Sequence, residues 1–320
     1  MRPSLLTGRL TAAALAVSLM LAACQPAASP APAADTLNVV ATFSILGDLV
    51  QNVGGEHITL TVLVGPDGDA HSYEPAPSDL RALAEADLIF ENGVEFESWL
   101  DDLYTASESK AQRVVTSTGL ELLEAGAHED DHAAEDGDEH AHGEHDPHIW
   151  QSVPNVIAVV AQIQAGLAAA DPAHAADYQA NAAAYQQELE SLHAYIQAQV
   201  ASLPAERRKL VTNHDTFGYF ARDYGFTIVG AALGAVTTEG GEPSAADIAK
   251  LAEAIRAEGV PAIFAENVES SRLIERLAAE TDLRVGPPLY TDALGQPGTA
   301  GATYLNLMRY NVDAIVAALR

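Results

Sequence analysis

Cysteine is nearly missing from this chain: Cys24 is the only one in 320 residues, so no internal disulfide can form. Basic residues are also scarce. Sixteen Lys and Arg face 45 Asp and Glu, a formal net charge of −29. That balance argues against nucleic acid as a partner, because phosphate backbones are gripped by basic patches. No Gly-x-Ser-x-Gly elbow and no phosphate-binding Gly-Lys-Ser/Thr loop occurs, which removes two common hydrolase signatures. Past the N-terminus no apolar run is expected to reach membrane-spanning length, so the body is expected to be soluble. What the chain does have is ample core material, with 48% hydrophobic residues.

The N-terminus has the form of a targeting segment. Arg2 and Arg9 precede an apolar run from Thr11 to Leu21 that is short for a membrane span. It ends in Leu21-Ala22-Ala23-Cys24, which resembles a bacterial lipobox. In this reading residues 1–23 are a signal peptide and Cys24 carries lipid. Residues 24–35 (the Cys, then QPAASPAPAAD) form a flexible tether. The plainer alternative is an ordinary secretory signal with a chance cysteine. A lone thiol at this position has a use in lipid attachment. The body is therefore expected outside the cytoplasm, lipid-anchored to a bacterial membrane at the periplasm or cell surface.

After the tether, β-rich runs alternate with helical patterns. Leu37–Thr42, Ile58–Val64, Asp87–Phe90 and Arg113–Thr116 read as strands. Helices are expected from Ser44 through Val53, from Ser78, and over Phe96–Tyr104, with Ser44 and Ser78 as caps. Alternation of this kind predicts βαβ units and mainly parallel sheets. From Pro172 to Ser202 the pattern changes. Tyr178, Ala182, Tyr185, Leu189, Leu192, Ile196, Val200 and Leu203 recur in steps of four and three, one face of a single long helix. Strand–helix alternation then resumes to the C-terminus. The expected fold class is α/β: two lobes, each with a mainly parallel β-sheet flanked by helices, joined by one long rigid helix. The boundaries are 36–170 for the first lobe (with a disordered loop at 126–146), 171–203 for the linker helix and 204–320 for the second lobe. A long helix inside one domain is the competing reading.

The densest chemical signal is His128–His148, HEDDHAAEDGDEHAHGEHDPH, with six histidines, nine acids and no Lys or Arg. Imidazole suits zinc-like ions, whereas carboxylates alone suit Mg, Ca and Mn. His128, His132, His140, His142 and His145 read as a loose metal-collecting tract. His148 enters an ordered segment, Asp146-Pro147-His148-Ile149-Trp150. His71, His148, His214 and Asp292 each follow a strand-like run or a section boundary, at separations of 77, 66 and 78 residues. In open α/β sheets, ligands bind beyond the carboxyl ends of the strands. Three imidazoles and one carboxylate make a four-coordinate shell that Zn²⁺ accepts. Spacing alone does not select these four over His57, His174 or His193, the last two of which are expected to face solvent on the long helix.

The surrounding segments carry a resemblance. They are Asp69-Ala70-His71-Ser72-Tyr73-Glu74-Pro75, Asp146-Pro147-His148-Ile149-Trp150, Asn213-His214-Asp215-Thr216-Phe217-Gly218, Ile263-Phe264-Ala265-Glu266 and Leu289-Tyr290-Thr291-Asp292. Taken in order they resemble the zinc/manganese solute-binding lipoproteins of bacterial ABC importers (cluster A-I), from about Leu37 to the C-terminus. The resemblance implies a metal in an inter-lobe cleft, held by His71, His148, His214 and Asp292, and a membrane permease as partner. A histidine at the third position is the zinc-type pattern and a glutamate the manganese-type one, so His214 implies Zn²⁺ with Mn²⁺ as the alternative. The protein is expected to be a monomer and not an enzyme. Two departures stand out: Gln151-Ser152-Val153-Pro154 replaces a more usual Leu-Asp-Pro, and Gly240-Gly241 loosens a second-lobe loop.

Competing readings come from the same residues. His128-Glu129-Asp130-Asp131-His132 formally matches the His-Glu-x-x-His metalloprotease helix, but lies in a charged tract with no apolar stripe. A zinc hydrolase would keep one coordination position open for water. A surface adhesin or an extracellular metal buffer is also compatible with the sequence.

Overall fold

The computed structural model describes residues 36–126, 144–233 and 243–320. Cys24, the signal and tether, His128, His132, His140, His142 and Gly240-Gly241 lie outside the described residues. Leu37–Phe43 (β1), Ile58–Val64 (β2), Leu88–Glu91 (β3) and Gln112–Val115 (β4) form a four-stranded parallel sheet in the order β2-β1-β3-β4. Strand side chains alternate between faces, and here each face has its own core. Val39, Ala41, Leu88 and Phe90 pack with helices Ser44–Gly54 (α1) and Val153–Ala170 (α4). Val40 and Ile89 pack with helices Pro77–Glu85 (α2) and Leu100–Ala106 (α3).

The second half repeats the plan. Lys209–Thr212 (β5) pairs in parallel with Thr227–Ala231 (β6), and Ala262–Ile263 (β7) with Arg284–Val285 (β8). The amide of Phe264 donates to the Val211 carbonyl at 3.0 Å, joining the two pairs. Leu210, Ala262 and Phe264 turn into the core that also takes the first sheet, while Val211 and Ile263 pack under helices Ala245–Glu258 (α7) and Arg272–Thr281 (α8). Between the halves runs Ala175–Ala201 (α5), 27 residues, about 40 Å at ~1.5 Å per residue. Its buried residues are Tyr178, Ala182, Tyr185, Leu189, Leu192, Ile196 and Val200, the stripe expected from the spacing. Gly218–Tyr224 (α6) follows β5, and Tyr304–Leu319 (α9) closes the chain against α5.

Several local expectations are corrected. Helix α4 was not anticipated, and it has the length and apolarity that a membrane span would need. Here Val156, Val159, Val160, Ile163 and Leu167 fill the shared core, and Gly166 lets the helix approach Phe90 and Val114. The helix expected over Phe96–Tyr104 starts only at Leu100 and runs to Ala106, after a turn that begins with left-handed Val94 and Glu95 (φ 57° each). Ser44 does not cap α1; its hydroxyl accepts from the Leu294 amide at 3.0 Å. Ser78 lies inside α2, where the Asp79 carboxylate accepts from the Ala76 amide instead. Ser244 does cap α7, in reciprocal bonds with Asp247. The loop expected over 126–146 is ordered at its neck: Ala125 donates to Glu144 and Asp146 to Leu123, around a Glu124–His145 bridge.

Candidate metal centre

Each of the four residues singled out from the sequence follows a strand end or a core turn, and its local backbone is held by a specific acceptor. His71 lies in the loop after β2, its amide bonded to Asp69 Oδ1 at 2.9 Å. The Trp99 indole donates to the adjoining Ala70 carbonyl at 2.8 Å. His148 precedes a single 3₁₀ turn, Ile149–Gln151. Asp146 Oδ1 accepts both its amide (2.9 Å) and its Nδ1 (2.7 Å). His214 follows β5, where Glu266 Oε1 accepts the amides of Asn213 (2.7 Å) and His214 (3.0 Å). Asp292 follows β8; Trp150 Nε1 and Gln151 Nε2 both donate to the neighbouring Thr291 carbonyl, at 2.8 and 3.1 Å. This is the role of Gln151, one of the two departures noted in the sequence.

These residues, from positions 71 to 292, bring one ligand atom each to within 4.8 Å of all the others, and all four are buried. His148 Nε2 lies 3.2 Å from His71 Nε2 and 3.3 Å from His214 Nε2. Asp292 Oδ2 lies 3.0 Å from His214 Nε2 and 3.4 Å from His71 Nε2. A tetrahedral ion with bonds of ~2.0–2.1 Å requires ligand–ligand edges of about 3.3–3.4 Å, close to these separations. Two neutral imidazole nitrogens with lone pairs face to face repel unless a proton or a cation lies between them. Asp292 Oδ2 has no hydrogen bond of good geometry among the described residues, while Oδ1 accepts from Thr216 Oγ1 at 3.3 Å. The donor set therefore fits a small divalent cation, with Oδ2 as the free oxygen.

The outer carboxylates set the electrostatics. His214 Nδ1 lies 2.6 Å from Glu266 Oε2, an approach off the direction of a straight hydrogen bond. Burial works against an imidazolium here, but Glu266 and Asp292 on either side hold the His214 pKa well above its ordinary value. Burial likewise opposes ionisation of Asp292, and the surrounding imidazoles outweigh it, keeping its carboxyl well below the usual range. His71 is pushed down by burial, only partly offset by Asp292. Orienting carboxylates behind ligating imidazoles fix tautomer and ring direction. Glu266 and Asp146, quoted in the sequence only as neighbours, are the carboxylates that the structure places behind His214 and His148. The available signal was an acid ending a buried β-run (Ala262–Glu266) and an acid two residues before a histidine.

The other histidines lie elsewhere. His57 and His174 stack with ring centroids 4.0 Å apart, and His174 Nδ1 meets Asp171 Oδ2 at 2.6 Å. His193 Nδ1 shares a hydrogen bond with Tyr224 Oη at 3.0 Å. The solvent-facing expectation for His174 and His193 is thus corrected: both are partly buried with partners. His145 of the collecting tract sits at the loop neck, its Nδ1 buried and without a hydrogen-bond partner among the described residues.

Two parallel sheets, a long mid-chain helix and a buried cluster of cation-ligating side chains define a metal-binding solute receptor. The chain belongs to the family described as zinc-uptake complex component A, periplasmic, whose model matches residues 39–318. It is similar to the manganese-binding lipoprotein MntA of Halalkalibacterium halodurans (33% identical, covering 88% of each chain). It is also similar to the zinc-binding protein TroA of Treponema pallidum (34% identical, 88% of each). The solved structure of periplasmic TroA superposes with a TM-score of 0.77 at 33% identity, over 89% of this chain and 99% of that one. The family is one of extracytoplasmic receptors of metal ABC importers, not of enzymes.

Proposed function

We propose that this protein captures Zn²⁺ outside the cytoplasm and delivers it to the permease of an ABC importer. In this reading His71, His148, His214 and Asp292 are the ligands, and residues 36–170 and 204–320 are the two lobes on either side of helix 171–203. Acylation of Cys24 anchors the chain to the membrane, and the receptor acts as a monomer. The observation that carries it is the convergence of one ligand atom from each of the four residues to within 4.8 Å of the others, four of the separations being 3.0–3.4 Å. Zinc is favoured over manganese by the third imidazole.

Manganese is the second reading, because MntA, a relative of comparable identity, is named for that ion. Competitive titration of the full chain with Zn²⁺ and Mn²⁺ decides between them. One tight zinc site is expected, together with weak extra equivalents at the His128–His145 tract. His214→Glu is expected to move preference toward Mn²⁺, and Asp292→Ala to abolish the tight site. Tight binding that survives Asp292→Ala, or a parent that prefers Mn²⁺, refutes the zinc assignment.

A further inference from the structure

We propose that Asp67 and Asn267 form a clasp across the rim of the metal centre and set how long the ion is retained, as positioning residues that touch no ion themselves. Asn267 directly follows Glu266, the acid behind His214, and its amide donates to the Leu289 carbonyl at 2.9 Å. Its side chain brackets Asp292: Oδ1 accepts from the Thr291 amide at 3.1 Å, and Nδ2 donates to the Ala293 carbonyl at 3.3 Å. The same Nδ2 donates to Asp67 Oδ1 at 3.0 Å.

Asp67 belongs to the loop that carries His71. Its amide donates to the Leu294 carbonyl at 2.8 Å, and its backbone is left-handed at φ 58°, a conformation that aspartate tolerates better than most residues. Gln296 Nε2 adds a bond to the Pro66 carbonyl at 3.1 Å. One amide side chain therefore ties the segment presenting Asp292 to the loop presenting His71. Those two ligands must separate for an ion to leave. The Asp67–Asn267 bond is exposed, so breaking it costs the fold little, which suits a reversible catch.

This inference rests on the ligand assignment above. The test is Zn²⁺ dissociation from the full chain into excess chelator by stopped flow, with the melting temperature of the metal-free protein measured beside it. Asn267→Asp sets a carboxylate against Asp67 and is expected to speed release about tenfold. Adding Asp67→Asn restores a donor across the clasp, though not the bond to the Ala293 carbonyl, and is expected to recover a large part of the lost retention. Asp67→Gly keeps the left-handed turn, removes the side chain and is expected to speed release about fivefold, with the melting temperature nearly unchanged. Asp67→Gly also keeps the proposal testable should Asn267→Asp fail to fold. Release unchanged in both single variants overturns the clasp, as does a double variant that releases no more slowly than Asn267→Asp alone. A parent that binds neither Zn²⁺ nor Mn²⁺ overturns the receptor reading and the clasp together.

Discussion

At the residue scale, the charges around His214 matter as much as its lone pairs. His214 lies between Glu266 and Asp292, whose charges hold its pKa above the ordinary value against the cost of burial. A cation that takes Nε2 competes there with a proton. The raised pKa of His214 means that ion binding near neutral pH is expected to release protons. Calorimetry in two buffers of different ionisation enthalpy measures it; no release contradicts the assignment. The sign for stability is opposite. A raised His pKa stabilises the metal-free fold fully below the unfolded value of ~6.5, and that contribution fades as pH rises through the folded value.

At the element scale, legibility followed periodicity. Helix α5 was readable because its apolar positions fall on one face, and every buried residue from Tyr178 to Val200 was in the expected stripe. Leu192 is fully buried there, and Leu192→Ala is expected to cost about 3 kcal/mol, measured by urea unfolding with an unchanged m-value. Helix α4 was missed because it is apolar on nearly all sides, so no polar face marks it. Its neighbours, sheet on one side and α5 on the other, exist only in the fold. The start of α3 also depends on tertiary contact: Phe96, expected to open the helix, is drawn instead against Phe43 and Trp150.

At the scale of the whole molecule, one continuous core takes the inner face of both sheets along with α1, α4, α5 and α9. The outer faces keep separate, smaller cores. Wide opening about α5 would expose the shared core, so ion binding is expected to work through loops at the rim. The radius of gyration by small-angle scattering should then agree between metal-free and loaded protein to within about 1 Å; a marked compaction refutes it.

The sequence by itself determined the α/β alternation and the long helix, because hydrophobic period is a local property of the chain, while the four converging residues were marked by the resemblance of the segments around them and not by their spacing. Only the tertiary structure decided which acids stand behind the imidazoles, that Gln151 serves Thr291, and that the apolar helix α4 is core. Those outcomes depend on contacts between segments up to 140 residues apart, which no local pattern encodes.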